Sequence, residues 1–366
     1  MAIKLSKYKA PVWAQSLKRI PEFKIQLAAP GFTPITEWKL PDFPQSFKVL
    51  LKRDDYTGSI LSGNKVRKLE FILAEAIAKG CKHVISVGAL QSNHCRAVAA
   101  SCAELGLQSH LFLRTPAKDD SQLKYDGNFF LNRLLGSHLY MLPMGVKYKA
   151  YVEPRMKALA ENIDLGVNVY CDCRRETGES SHLVCVGGSD NTGIWGYIQC
   201  FAELRQQAVE FDDIVCVCGS GGTVSGLAIA NYLCGMPYRC HGILVCDSNQ
   251  YFHEEVNGNL EALGVKDVRS EDIVHLHDAY KEPGYGRNLP CHFEFISQSA
   301  VQTGVILDNT YTGKAAYGLR DLMQNKPGVF KGRRILFIHS GWIRLPLKTS
   351  GLFCIKSRSP YTALPV

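Results

Sequence analysis

The sequence predicts an α/β protein with two domains, each a mostly parallel sheet covered by helices on both faces. The chain has 366 residues, which is long for a single hydrophobic core. An apolar run, a turn and a helical pattern follow one another in residues 84–113, and the same order recurs in residues 214–246. This alternation is typical of parallel sheets, because the helices that connect the strands cover the faces of the sheet.

The first of these units follows a proline-rich segment. Residues 22–48 contain four prolines and are predicted to be extended. Apolar residues at helical spacing predict a helix over residues 64–79, which ends at Gly80. The other elements predicted in this half are strands at 49–53, 84–87 and 110–113, turns at 54–58 and 88–94, and a helix at 96–105.

The second unit has the same arrangement in the carboxyl-terminal half. Its predicted elements are a strand at 214–218, a turn at 219–223, a helix at 224–233 and strands at 241–246 and 334–338. Residues 117–190 contain turns and helices but show no clear boundary.

Composition argues against several other classes of protein. The formal net charge is +8, but the basic residues are spread along the chain without a long block. We therefore expect a solvated basic surface and no nucleic-acid partner. No apolar stretch is long enough for a secretory signal or a membrane span, which predicts a cytoplasmic protein without a membrane partner. Residues 1–21 are basic and contain no acid, so mitochondrial targeting is kept as an alternative.

The fourteen cysteines are scattered along the chain. Their close pairs, Cys171/Cys173 and Cys216/Cys218, have the form C-x-C, and no His/Cys group has zinc-finger spacing, so no metal site is predicted. Cys216 and Cys218 fall in an apolar run that predicts a buried strand, where cysteine acts as a small hydrophobic side chain. Reduced thiols of an intracellular protein are the expected state.

A glycine-rich turn lies between a predicted strand and a predicted helix. It consists of Gly219, Ser220, Gly221, Gly222 and Thr223. Glycines in this position let backbone N–H groups close around a phosphate, and the helix dipole adds attraction. The P-loop pattern is not present. A dinucleotide fold, with Asp247 past the next strand, fits the glycine spacing poorly, and a tight helix-packing turn is a further alternative.

Two other turns carry polar side chains. Lys65 lies just before a helix, where burial would lower the pKa of its amine and supply the free base that a Schiff base requires. Lys68 follows one helical turn later, where it could face the same anion. Gln91, Ser92 and Asn93 can present hydroxyl, amide and N–H groups to a carboxylate. Taken singly, a surface lysine and a helix-capping serine or asparagine are the more common interpretations.

Together these segments resemble the pyridoxal-phosphate enzymes of the tryptophan-synthase-β type. Within that group they are similar to the family of 1-aminocyclopropane-1-carboxylate (ACC) deaminase and D-cysteine desulfhydrase. The resemblance extends from about residue 8 to residue 341. The segments that carry it are Lys52–Asp55, Gly63–Glu70, Gln91–His94, Gly219–Thr223, Gly304–Asp308, Tyr311–Ala315 and His339–Gly341.

The resemblance implies pyridoxal phosphate as the cofactor. Lys65 would hold it covalently and later move the Cα proton of the substrate. Its phosphate would be bound by Lys68 and the turn at 219–223, and its ring hydroxyl by Asn93. Ser340 matches the position whose hydroxyl approaches the pyridine nitrogen. A hydroxyl there would leave that nitrogen unprotonated, which favours elimination over transamination.

The resemblance also implies how a small amino-acid substrate would be bound. Ser92, with Gln91 and the backbone of Asn93, would bind its carboxylate. Tyr285 and Tyr311 correspond to the tyrosines that assist ring opening in the deaminases. Thr312 is expected to contact the substrate.

Two positions distinguish the branches of the family. Deaminases resemble Tyr-Glu-Gly-Lys and His-Leu-Gly at positions where this chain has Thr312 and Ser340. Hydroxyl side chains at both positions are similar to the desulfhydrase branch. The implied reaction is β-elimination, in which D-cysteine gives pyruvate, hydrogen sulfide and ammonia. The alternative is ACC deamination, which gives 2-oxobutyrate and ammonia.

The chain departs from the family pattern in two places. Asn309 and Thr310 replace a Pro-Val pair, and Trp342 replaces a glycine that allows the backbone to approach the cofactor ring. The tail at 343–366 does not match the family. A catalytically impaired protein that still binds pyridoxal phosphate is therefore a further alternative.

The resemblance also implies the domain organisation. We expect a large cofactor-binding domain formed by residues 1–68 and 181–366, and a small inserted domain formed by residues 69–180. The cofactor would lie between the two domains, and a homodimer is expected. A nucleotide-binding enzyme of the Rossmann type would depend on the turn at 219–223 alone.

Overall fold

A computed structural model of the protein describes residues 5–40, 42–58, 63–165 and 180–341. Its strands are β1 (Ser6–Lys7), β2 (Phe23–Lys24), β3 (Ile35–Glu37), β4 (Lys48–Lys52), β5 (His83–Ala89), β6 (Gln108–Thr115), β7 (His138–Pro143), β8 (Ser181–Leu183), β9 (Asp213–Cys218), β10 (Arg239–Leu244), β11 (His275–His277) and β12 (Arg334–Ile338). Its α-helices are α1 (Asn64–Ala78), α2 (Asn93–Leu105), α3 (Gly127–Leu134), α4 (Glu153–Asp164), α5 (Trp195–Gln207), α6 (Gly222–Leu233), α7 (Asn249–Leu263), α8 (Ser270–Ile273), α9 (Pro290–Thr303) and α10 (Thr312–Asn325).

The larger sheet has six strands in the order β11-β10-β9-β12-β4-β3. All neighbours are parallel except the edge strand β3, which runs antiparallel to β4. Side chains alternate between its faces, as a two-residue period requires. Ile214 and Cys216 pack in a core with α5, α6 and α7, whereas Val215 and Val217 pack in a second core with α9 and α10.

The smaller sheet has four parallel strands in the order β7-β6-β5-β8. Val84 packs against α1 and α2, whereas Ile85 and Val87 pack on the opposite face against α4. Each sheet is thus the middle layer between two layers of helices, which confirms the predicted α/β fold with mostly parallel sheets. The boundaries of the two domains stay a prediction.

Several element boundaries differ from those predicted. The helix expected at 96–105 begins at Asn93, because the Ser92 hydroxyl accepts a hydrogen bond from the Cys95 N–H and caps the helix. The helix expected at 224–233 begins at Gly222. The lead-in at 22–48 contains β2 and β3, and residues 117–190 contain β7 and β8. These short or edge strands show little alternation of their own, and pairing with a neighbouring strand defines them.

Two further features concern the described ranges of the chain. None of the helices in them is long and apolar enough to cross a membrane. The same ranges contain no group of three or more His, Cys, Asp or Glu side chains arranged to hold a metal ion.

Buried histidines predict a loss of stability in acid. Burial, with the charges of His138 and His83, lowers the pKa of His110 to about 3. The unfolded chain binds the proton near pH 6.5, so the folded state binds fewer protons between these values. The free energy of unfolding should therefore fall by about 1.4 kcal/mol per pH unit for this histidine as the pH drops below 6.5.

The comparison of wild type with His110→Gln by urea unfolding at several pH values isolates this contribution. The variant should lose less stability per pH unit than the wild type. The same change at the exposed His275 should alter the slope less. Equal slopes for wild type and His110→Gln would contradict the assignment.

Candidate active site

The predicted site residues lie at one edge of the two parallel sheets. The segment at 91–94 follows β5, the turn at 219–223 follows β9, and Ser340 follows β12. The segment at 184–189 follows β8. All four segments therefore leave the carboxyl ends of parallel strands, which is where ligands bind in open α/β sheets.

The start of α1 positions Lys65. Gly63, directly before the helix, has a φ of 105°, a value that side-chain-bearing residues avoid, and a Cβ there would lie 2.6 Å from the Ser340 carbonyl oxygen. The Asn64 N–H donates to that same oxygen at 3.0 Å. The first turn of α1 is therefore fixed on the segment that follows β12.

Lys65 and Lys68 point their amines at one acceptor. Each Nζ donates to the Gly187 carbonyl oxygen at 3.2 Å. Burial and the neighbouring charge of Lys68 hold the pKa of the Lys65 amine well below its usual range. Burial lowers the pKa of Lys68 to about 8. Lys65 can therefore be an uncharged amine at neutral pH, which is the form that reacts with a carbonyl group.

Ser189 connects the lysine pair to the glycine-rich turn. Its hydroxyl accepts from Lys68 Nζ at 3.1 Å, hydrogen-bonds to the Ser220 hydroxyl at 2.8 Å and accepts from the Gly222 N–H at 3.2 Å. On the neighbouring helix turn the Asn64 amide donates to Thr223 Oγ1 at 3.1 Å. These contacts gather a cation, three hydroxyls and a backbone N–H at the start of α6, a donor set that suits a phosphate.

The glycines at this point leave no room for side chains. A Cβ on Gly222 would lie 2.7 Å from both Lys68 Nζ and Ser189 Oγ, and one on Gly187 would lie 2.3 Å from Ser220 Oγ. Sequence interpretation missed Ser189 and Gly187. The signal was present in the Gly-Gly-Ser run at 187–189, which resembles an anion-binding turn in composition.

The turn at 91–94 is held by the start of α3. Gln91 donates its side-chain N–H to Asp126 Oδ1 at 3.0 Å, and its Oε1 accepts from the Asn128 N–H at 2.9 Å. The buried Asn128 amide donates to Asn93 Oδ1 at 2.7 Å. Ser92 is buried and caps α2. Asn128 had no motif to mark it in the sequence, because its partners lie about one helix away in the chain.

The two predicted tyrosines lie together beside the glycine-rich turn. The phenols of Tyr285 and Tyr311 hydrogen-bond to each other. A Cβ on Gly219 would lie 2.9 Å from the Tyr311 ring. Burial, with the neighbouring Tyr285, raises the pKa of Tyr311 well above its usual range, so this phenol keeps its proton at neutral pH.

Two predicted residues have other contacts in the structure. Thr312 is fully buried, and its hydroxyl donates to Asp308 Oδ2 at 2.8 Å. Ser340 contributes its carbonyl oxygen to the start of α1. Contacts of Thr312 with substrate and of the Ser340 hydroxyl with a cofactor ring stay predictions. Trp342 and the tail at 343–366 lie outside the described residues.

A buried ion network underlies α1. Arg67 donates to Asp54 Oδ1 at 2.7 Å and to Glu203 Oε2 at 2.8 Å. Lys52 forms an ion pair with the same Glu203, and the Tyr197 hydroxyl donates to Asp54 Oδ2 at 2.7 Å. Burial would raise the pKa of Asp54, but the charge and hydrogen bonds of Arg67 outweigh it and lower that pKa.

Comparisons with known proteins agree with this geometry. The model of the family described as pyridoxal-phosphate-dependent enzymes matches residues 27–341. The chain is 40% identical over 343 residues to a bifunctional D-cysteine desulfhydrase/ACC deaminase, mitochondrial, of Arabidopsis thaliana, covering 91% of this chain and 82% of that protein. It is 32% identical to a D-cysteine desulfhydrase of Salmonella paratyphi A, covering 83% and 89%.

A solved structure supports the same relationship. The crystal structure of an ACC deaminase homologue superposes with a TM-score of 0.76 at 32% identity, covering 91% of this chain and 95% of the other. A Thermus threonine deaminase, at a TM-score of 0.54 and 18% identity, shares the fold. The chain is a pyridoxal-phosphate-dependent lyase, and it belongs to the family of D-cysteine desulfhydrases and ACC deaminases.

Proposed function

We propose that this enzyme catalyses β-elimination on a small D-amino acid, with D-cysteine as the substrate. D-Cysteine and water would give pyruvate, hydrogen sulfide and ammonia. The observation that carries the proposal is the low-pKa Lys65 amine beside a phosphate-binding group of donors. The names of the Arabidopsis and Salmonella relatives support the substrate. The hydroxyl side chains at Thr312 and Ser340 favour it over ACC.

The residues present fit pyridoxal phosphate. Lys65 would hold its aldehyde carbon, and Lys68, Ser189, Ser220 and the Gly222 N–H would hold its phosphate. The absence of a Cβ at Gly222 leaves that space free. Asn93 would bind the ring hydroxyl, and the Ser340 hydroxyl would face the ring nitrogen. The bound cofactor supplies the electron sink that stabilises negative charge at the substrate Cα.

The side chains of the chain then divide the proton transfers. Lys65 is uncharged at neutral pH and can accept the Cα proton. The 91–94 turn would bind the substrate carboxylate through the Ser92 hydroxyl, the Gln91 side chain and the Asn93 N–H. Tyr311 keeps its phenolic proton and can donate it to the departing sulfur. Because Tyr285 hydrogen-bonds to Tyr311, it would orient that phenol.

Gly222→Ala should weaken cofactor binding by at least about tenfold, equal to about 1.4 kcal/mol. The added methyl would lie 2.7 Å from both Lys68 Nζ and Ser189 Oγ, so both donors would have to move. Titration of the apo-protein with pyridoxal phosphate, followed by fluorescence, measures the affinity. Gly258→Ala in α7 is the control, because a Cβ there meets no atom within 4 Å. Equal affinities for both variants would contradict the assigned phosphate site.

A substrate panel tests the proposed reaction. The cofactor-loaded protein is incubated with D-cysteine, L-cysteine, D-serine or ACC, and pyruvate, sulfide and 2-oxobutyrate are measured. We expect equimolar pyruvate and sulfide from D-cysteine. Production of 2-oxobutyrate from ACC would favour deamination instead. Bound cofactor with no product from any substrate would favour the impaired cofactor-binding protein.

We propose a homodimer, tested by light scattering on the eluting protein, and a cytoplasmic location. The word mitochondrial in the name of the Arabidopsis relative keeps that compartment as the alternative. Localisation of the tagged full chain would distinguish the two compartments.

A further inference from the structure

We propose that Lys314 is a positioning residue that holds Tyr285 against Tyr311. The inference rests on the proposed function, because the role of the tyrosine pair belongs to it. Lys314 lies in the first turn of α10, three residues after Tyr311. It does not belong to the lysine pair of the cofactor site.

Lys314 joins α10 to the segment that carries Tyr285. Its side chain is fully buried, and Nζ donates to the Lys281 carbonyl oxygen at 3.0 Å and to the Gly284 carbonyl oxygen at 2.8 Å. Gly284 directly precedes Tyr285. A buried lysine that donates to backbone carbonyls fixes the chain at those points, because leaving its donors unpaired would cost free energy.

The 281–286 segment depends on few such contacts. It contains no helix or strand, and glycines with positive φ flank Tyr285, with values of 126° at Gly284 and 69° at Gly286. The Tyr285 side chain is 42% exposed, so packing holds it only in part. The Lys314 bonds therefore provide a major tether between this segment and α10.

The same end of α10 fixes the other tyrosine. Asp308 Oδ1 accepts from the Thr310 N–H at 2.7 Å and from the Tyr311 N–H at 2.6 Å. Tyr311 is thus held through its own backbone, and Tyr285 is held through Lys314. The hydrogen bond between their phenols joins two segments that a single helix start places together.

Lys314→Met tests the tether directly. Hydrogen exchange followed by mass spectrometry should be at least about tenfold faster in the peptide covering residues 281–287, with little change in peptides from β9 or α6. The absorbance of the bound cofactor should not change, because Lys65 is untouched. Unchanged exchange at 281–287 would overturn the proposal. Lys314→Gln, which keeps an amide donor, replaces Lys314→Met if the latter does not fold, and an intermediate rate is expected.

A double-mutant cycle tests whether Lys314 acts through Tyr285. On the substrate that the wild type turns over, Lys314→Met should lower kcat/KM by about tenfold or more. In a Tyr285→Phe background the same change should cost less than about twofold, because the phenol that it positions is already gone. Equal losses in both backgrounds would show a merely structural role and overturn the proposal.

Lys331→Met is the matched control. Lys331 Nζ also donates to two consecutive backbone carbonyls, at Met236 and Pro237, but it precedes β12 at the opposite edge of the sheet. Its replacement should leave both kcat/KM and exchange at 281–287 unchanged. If the wild type turns over no substrate, the proposed function fails, and the exchange experiment alone still decides whether Lys314 holds the Tyr285 segment.

Discussion

Lys65→Ala is expected to lower turnover by the cofactor-loaded protein by at least about 10³-fold. The change removes both the amine that would hold the cofactor and the base that would move the Cα proton. Its low pKa in the protein follows from burial and from the neighbouring Lys68. Product formation under saturating cofactor and substrate measures the effect.

The control for this variant is Lys79→Ala at the far end of the same helix. Lys79 is exposed and pairs with Glu75 on the helix surface, so its loss should leave turnover unchanged. Lys68→Ala should instead weaken cofactor affinity. Turnover by Lys65→Ala within tenfold of the wild type would exclude Lys65 as the reactive amine.

Arg67→Met is expected to lower the free energy of unfolding by about 3–5 kcal/mol. Arg67 is buried and forms ion pairs with Asp54 and Glu203. Methionine would fill part of the volume but would leave the carboxylate of Asp54 buried without its main partner. The shift in the urea midpoint, with the slope of the transition as a check, measures the loss.

Arg334→Met is the matched control for this prediction. Arg334 also pairs with two carboxylates, Asp212 and Glu210, but its side chain is 42% exposed. Water screens that pair, so its removal should cost about 1 kcal/mol or less. A similar midpoint for both variants would mean that the network under α1 contributes no more than a surface pair.

Much of the fold could be predicted from local patterns. The apolar runs at β9 and β12 are buried on both sides, so they stand out from their surroundings without any knowledge of partners. β3, β7 and β8 are edge strands, or strands of only three residues, and their assignment depends on the neighbour that each one pairs with. The cap at Ser92 shows the opposite error, in which a residue assigned to a binding turn also starts a helix.

The candidate site could be predicted only where a motif marks it. Lys65 and the glycines at 219–223 lie in recognisable segments, and the structure places them near each other. Ser189 and Gly187 connect them, yet Gly187 is 122 residues from Lys65 in the chain. Asn128 and Lys314 likewise act through carbonyl or amide groups of distant segments. Such contacts follow from the packing of the two sheets and leave no periodic signal.

Reduction of the cofactor-loaded protein with borohydride, followed by peptide mapping, tests the central assignment most directly. Lys65 and Lys68 donate to the same carbonyl oxygen, so geometry brings both amines to the site. We expect a phosphopyridoxyl group on Lys65 and none on Lys68, because the amine of Lys65 has the more strongly lowered pKa. A label on Lys68, or no label on either lysine, would contradict the assignment of Lys65 as the residue that holds the cofactor.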